Sequence, residues 1–141
     1  MSYLLDTNVI SELRKGERAD ANVRAWFDEL GDEEIYLSAL TIGEIRRGVE
    51  SVRRRDPDSA AALDSWLARL GEAYRDRILP VDRAIAEEWG RSNVPDPLPV
   101  VDGLLAATAK VAGLTFATRN VADVKGSGVK LVDPFSGSGA A

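Results

Sequence analysis

The stretch Pro99-Val100-Val101-Asp102-Gly103-Leu104-Leu105-Ala106-Ala107-Thr108-Ala109-Lys110-Val111-Ala112-Gly113-Leu114-Thr115-Phe116-Ala117-Thr118 changes its hydrophobic period part-way along. In its first part Val101, Leu104, Leu105 and Thr108 recur at helical spacing, Pro99 presets the opening turn and Gly113 supplies a stop. The apolar run Leu114–Thr118 that follows has the length of a buried strand. A helix that feeds directly into a strand is the repeating unit of α/β architecture.

Moving outward, the same alternation covers the chain. Further strands are expected at Tyr3–Leu5, Ile35–Ser38, Ile78–Val81 and Val129–Val132, and Pro80 assigns the third in sequence to a sheet edge because it has no N–H to donate. Between them lie amphipathic helices. Val23, Trp26, Phe27 and Leu30 form one stripe, bounded by Asp20 and Gly31; Ile42, Ile45, Val49 and Val52 form a second. Asp56-Pro57 opens a third, with Leu63, Trp66, Leu67, Leu70 and Tyr74 on one face, and Asp82 opens a fourth, with Ile85 and Trp89. Right-handed crossovers between such strands give a mostly parallel sheet of about five strands with helices on both faces, a three-layer α/β/α arrangement. Residues 1–135 read as one domain, and Ser136-Gly137-Ser138-Gly139-Ala140-Ala141 as a loose tail.

Composition narrows the chemistry. A chain of 141 residues, 45% hydrophobic and 29% charged, has the balance of a single globular domain. Cysteine and histidine are both absent. That removes disulfides, thiolate nucleophiles, Cys- or His-ligated metal sites, the Ser-His-Asp triad and any imidazole base. The N-terminus lacks a basic leader and meets Asp6 early, and no apolar run spans a membrane, so a cytoplasmic location is expected. Net charge is −5, yet arginines cluster at Arg46, Arg47, Arg53, Arg54 and Arg55 and again at Arg69, Arg75 and Arg77. Solvated helix faces with i,i+4 partners account for such clusters without invoking a ligand.

The remaining chemistry is that of carboxylates, and α/β sheets bind ligands beyond the carboxyl ends of their strands. Asp6 follows the first strand, where it is either a cap for a helix beginning near Val9 or a crevice acid. Thr41-x-x-Glu44 fits a capping box, so Glu44 has a structural reading beside a functional one. Asp102 lies in a first helical turn, where the helix dipole favours an acid in any case, but its neighbours are apolar. Asp123 follows the fourth strand in what reads as a turn. Acids gathered at one sheet edge repel one another unless a cation joins them, and all-oxygen ligation selects Mg²⁺ or Mn²⁺. Such a site suits attack on a phosphodiester.

Asp6-Thr7-Asn8 after the first strand, Thr41-x-x-Glu44, the run Asp102-x-Leu104-Leu105-Ala106-Ala107-Thr108-Ala109, Thr118-Arg119-Asn120-x-x-Asp123 and the closing Asp133-Pro134-Phe135 together resemble PIN-domain ribonuclease toxins of the VapC and FitB type. The resemblance runs from Leu4 to Phe135. It departs at Val124, where the family usually has Phe, and in the proline-rich Asn93–Pro99. It implies a Mg²⁺ (or Mn²⁺) pocket formed by Asp6, Glu44, Asp102 and Asp123, supported by Thr7, Asn8, Thr118 and Asn120. Some members carry an acid near the position of Asn120, which leaves Asp123 and Asn120 both open for the fourth place. It also implies RNA as substrate, a cognate antitoxin of the VapB or FitA kind, a homodimer, and a role for the arginine clusters as phosphate contacts. Two rival readings stand beside it. One is a PIN-like scaffold that binds without turnover. The other is a Mg²⁺-binding phosphoacceptor receiver domain, with Asp82 as the acceptor.

Overall fold

The computed structural model describes residues 1–137; residues 138–141 of the expected tail lie outside the described residues. In chain order the elements are β1 (Tyr3–Leu5), α1 (Thr7–Leu13), α2 (Ala21–Asp28), β2 (Ile35–Ser38), α3 (Ala39–Arg53), α4 (Pro57–Ala73), β3 (Ile78–Leu79), α5 (Arg83–Ser92), α6 (Val100–Ala112), β4 (Thr115–Ala117), α7 (Val121–Val124) and β5 (Leu131–Val132). Short 3-10 turns join several of them. The strands form one sheet in the order β3-β2-β1-β4-β5, and every neighbouring pair is parallel. Among the described residues no helix is long and apolar enough to cross a membrane.

Strand alternation divides the core in two. Leu5, Ile35, Leu37, Ala117 and Val132 face one side, where they pack with Val9, Ile10, Val23, Trp26, Ile45, Val49, Leu67 and Leu70 from α1–α4. Leu4 and Phe116 face the other side and meet Leu105, Ala106 and Ala109 of α6 and Val124 of α7. The helices that follow β1 and β2 therefore cover one face, and those around β4 cover the other. The chain reverses its direction of travel across the sheet between β1 and β4, and in open α/β sheets that reversal point is where a crevice opens.

Several sequence signals appear as expected. Asp20, Asp56 and Asp82 each accept backbone N–H bonds at the starts of α2, α4 and α5, Pro57 occupies the first turn of α4, and Gly113 ends α6 with φ at 71°. Pro80 follows β3, which lies at the sheet edge and stops at Leu79 rather than Val81 because the chain is already turning towards the Asp82 cap. β4 and β5 are likewise shorter than expected, pairing only where Phe116 and Ala117 meet Leu131 and Val132.

Other expectations are corrected. The first helix begins at Thr7 rather than near Val9. The Thr41-x-x-Glu44 capping box does not form. Ser38 at the end of β2 caps α3 by accepting from the Leu40 N–H, so the helix starts at Ala39 and carries Glu44 into its second turn. Thr41 is left fully buried with its hydroxyl unpaired. Asp123 sits in the one-turn α7 and not in a bare turn. α6 packs closely on α5 at Gly103, where a Cβ would lie 3.3 Å from Leu98 Cβ and from Trp89 Cδ1 and Nε1, so a side chain here would push away the helix that carries Asp102.

Candidate active site

Asp6 is the hub. It follows the central strand β1, is 4% exposed, and its backbone N–H donates to the Ala117 carbonyl of β4 at 2.9 Å. Its Oδ1 accepts from the Thr7 N–H at 2.7 Å, which makes it the cap of α1 as well. Its Oδ2 accepts from the Thr118 hydroxyl at 2.6 Å and from Asn8 Nδ2 at 3.3 Å. The cap and site readings are compatible, since each uses a different oxygen.

The other acids converge on it from three elements. Glu44 reaches from α3, half-buried, and its Oε1 accepts from the Thr7 hydroxyl at 2.5 Å. Asp102, half-buried in the first turn of α6, is close enough that its charge and that of Glu44 both disfavour ionisation of Asp6. Asp123, exposed on α7, acts on Asp102 in the same way. Thr118 is fully buried at the end of β4 and links two layers of the site, for its hydroxyl also accepts from the Asn120 N–H at 2.9 Å. Asn120 in turn contacts Asp102 through its side chain. Asn8 Oδ1 accepts from the Arg119 N–H at 3.3 Å. All eight residues expected from the resemblance thus gather at the carboxyl ends of β1, β2 and β4.

Electrostatics show what the pocket lacks. Burial pushes the Asp6 carboxyl up to about 6, the Thr118 hydroxyl and Thr7 N–H pull it down, and Asp102 and Glu44 push it up again. Asp102 is raised first by burial and then by Asp123 and Glu44, with Asn120 opposing. No Lys or Arg among the described residues pairs with any of the four acids. Nor do three of them close into a ready cage: among the described residues no such group is spaced to hold an ion as it stands. The donor set is entirely oxygen and its charge is uncompensated, which is the chemistry that hard divalent cations satisfy.

The receiver reading fails on topology. β2 separates β3 from β1, and the Asp82 carboxylate accepts from the Ile85 N–H at 3.0 Å, capping α5 away from Asp6. Three members of the arginine clusters are held in surface ion pairs. Arg46 and Arg53 both clasp Glu50 and Asp64, at distances from 3.0 to 3.1 Å, and Arg75 pairs with Glu72. Sequence reasoning assigned no role to Arg119 or to its partner Phe135, because nothing in their spacing brings positions 119 and 135 together.

The PIN domain family model matches residues 3–122. Toxin FitB of Neisseria gonorrhoeae is 33% identical over 139 residues, which cover 94% of this chain and 97% of FitB. VapC ribonuclease Y4jK of Sinorhizobium fredii is 34% identical over 140 residues, covering 94% and 96%. Among solved structures, FitAcB from Neisseria gonorrhoeae superposes with a TM-score of 0.87 at 33% identity, over 95% of this chain and 99% of that one.

Proposed function

Because this chain belongs to the PIN domain family, in the company of VapC- and FitB-type toxins, we propose that it is a Mg²⁺- or Mn²⁺-dependent endoribonuclease and the toxin of a toxin–antitoxin pair. The observation that carries this reading is the buried Asp6 carboxylate, pressed by Asp102 and Glu44 at the reversal point of the sheet with no cation of the protein beside it. Asp6 and Asp102 would be the principal ligands of the ion, with Glu44 and Asp123 completing the acidic set. When bound, such an ion lowers the pKa of a water and stabilises charge developing on a phosphodiester.

This chain's own residues do the rest. Thr118 and the Thr7 N–H fix the orientation of the Asp6 carboxylate and favour its ionised form. The Thr7 hydroxyl holds Glu44 towards the pocket, where Glu44 and Asp123 orient the attacking water and accept its proton. Partner-free protein should cut single-stranded or structured RNA with Mg²⁺ or Mn²⁺, stop on addition of EDTA, and resume when the ion is restored. Protein that binds RNA under these conditions without cutting it would instead be the non-catalytic scaffold.

The partner is a small antitoxin that relieves the same electrostatic cost in another way. An inserted Arg or Lys can neutralise the acids where the metal would sit, and a guanidinium matches carboxylates in two-pronged fashion. A groove of about 220 Å³ beside the pocket, lined by Thr7, Arg14, Glu44, Val49, Val52, Leu63 and Trp66, offers an apolar bed for a helix leading to that residue. Raising Mg²⁺ should partly restore cleavage in the complex, and replacing the inserted Arg by Ala should weaken inhibition more than binding. An inhibited complex with unchanged metal affinity and an apolar inserted residue would refute the mechanism.

A further inference from the structure

The acids that serve the reaction also repel its substrate. A net charge of −5 and a pocket of four carboxylates work against an RNA strand, so some local cation has to hold the phosphates on either side of the cut. Of the arginines of α3, Arg46 and Arg53 are poor candidates, because both are already tied to Glu50 and Asp64.

Arg119 is placed differently. It lies between Thr118, which bonds Asp6, and Asn120, which contacts Asp102, and its own N–H is held by Asn8, another Asp6 partner. Its side chain is exposed, and its guanidinium lies 4.3 Å from the centroid of the Phe135 ring. That ring is itself anchored at both main-chain groups. The Phe135 N–H donates to Asp133 Oδ1 at 2.9 Å, and the Phe135 carbonyl accepts from Asn22 Nδ2 at 3.1 Å. Glu12 feels the charge of Arg119, but its two oxygens are engaged by Lys15 Nζ at 2.9 Å and the Asp20 N–H at 2.8 Å. Among the described residues no carboxylate pairs with the Arg119 guanidinium.

A guanidinium held over a ring by its central carbon still has N–H donors at its edge, and their fork matches two phosphate oxygens. The shelf also removes most of the conformational freedom that a phosphate contact would otherwise have to freeze. We propose that Arg119, held on Phe135, binds a backbone phosphate of the RNA strand next to the one being cut, and so positions that strand across the acidic pocket. This rests on the nuclease reading above. It goes beyond it by naming a cation, outside the arginine clusters, that offsets the pocket's charge for the substrate.

The test uses partner-free full-length protein and a fluorescent single-stranded RNA oligonucleotide, with binding read by anisotropy in EDTA across a salt series. Arg119→Gln should weaken binding about tenfold and reduce the slope of log K against log salt by about 0.7, the loss of one phosphate contact on a single strand. Arg119→Lys should keep the slope and recover part of the affinity, since it retains the charge but not the fork. Phe135→Leu should keep the slope and lose affinity, since the charge remains but its shelf does not. In cleavage assays Arg119→Gln should raise KM with kcat little changed. Unchanged binding and slope in Arg119→Gln, with its thermal melt intact, would overturn the assignment. Wild-type protein that binds RNA through Arg119 yet cuts none with either ion would overturn the nuclease reading while leaving the phosphate contact in place.

Discussion

Asp6→Asn and Asp102→Asn should each lower RNA cleavage at least about a hundredfold while the protein stays folded, because each removes charge that the cation and the developing transition state require. The geometry argues that the fold survives. Asn at position 6 keeps an acceptor for the Thr7 N–H and the shape of the cap, and position 102 keeps its place in the first turn of α6. Asp102→Asn gives up a favourable interaction with the helix dipole of about 0.3–1 kcal/mol, against which stands relief from Asp123 and Glu44. Glu44→Gln extends the series. Gln retains an acceptor for the Thr7 hydroxyl, and Ser38 caps α3, so stability should hold or rise while activity is lost. Asp82→Asn is the control, since Asn caps as well as Asp and this acid lies at the sheet edge. Full activity in both Asp6→Asn and Asp102→Asn, checked by single-turnover cleavage and circular dichroism, would remove these residues from the site.

The second large effect concerns stability and pH in metal-free protein. Asp6 titrates near 3.8 in the unfolded chain and at about 6 when folded. Between those values the folded state binds more protons than the unfolded one, so stability should rise by roughly 1 kcal/mol as pH falls from 7 to 5, part of about 3 kcal/mol over the whole range down to below 3.8. Asp102 is raised too and adds in the same direction. The acids with lowered values, Glu12, Glu50, Asp56, Asp64 and Glu88, oppose this trend only from the ordinary carboxylate range downward, where the unfolded chain takes up protons that their folded forms do not. Urea unfolding in EDTA at pH 5 and pH 7 measures the difference. Mg²⁺ should stabilise the protein at pH 7 and do so less at pH 5, where protons compete for the same oxygens. Stability that is flat or falling between pH 7 and 5 in EDTA would mean that Asp6 is not held as described.

Much of this architecture is written in local residues. Asp20, Asp56, Asp82, Pro57 and Gly113 act within a turn of their own position, so their sequence meaning survives folding. Pro80 is legible for the same reason: a residue without an N–H excludes itself from a central strand. The start of the helix that carries Glu44 is not legible locally, because Ser38 and Thr41 are both competent caps. Only the end of β2, fixed by pairing with β1 and β3, decides between them. The clasp of Arg46 and Arg53 on Asp64 joins α3 to α4, and the shelf of Arg119 on Phe135 joins the ends of β4 and β5. Neither follows from a spacing rule. The site itself was legible as acids at strand ends, but their grouping needed either the family's pattern or the fold, since the Asp6–Thr118 bond spans 112 positions.

That same separation sets a timetable for synthesis. Asp6 leaves the ribosome 112 positions ahead of Thr118, and β1 lacks its second neighbour until β4 is made. Every nascent chain shorter than about position 118 lacks the residues that complete the pocket, however well α1–α4 have packed. The pocket of the proposed nuclease is therefore incomplete while the chain is being made, and closes only as β4 and α7 emerge.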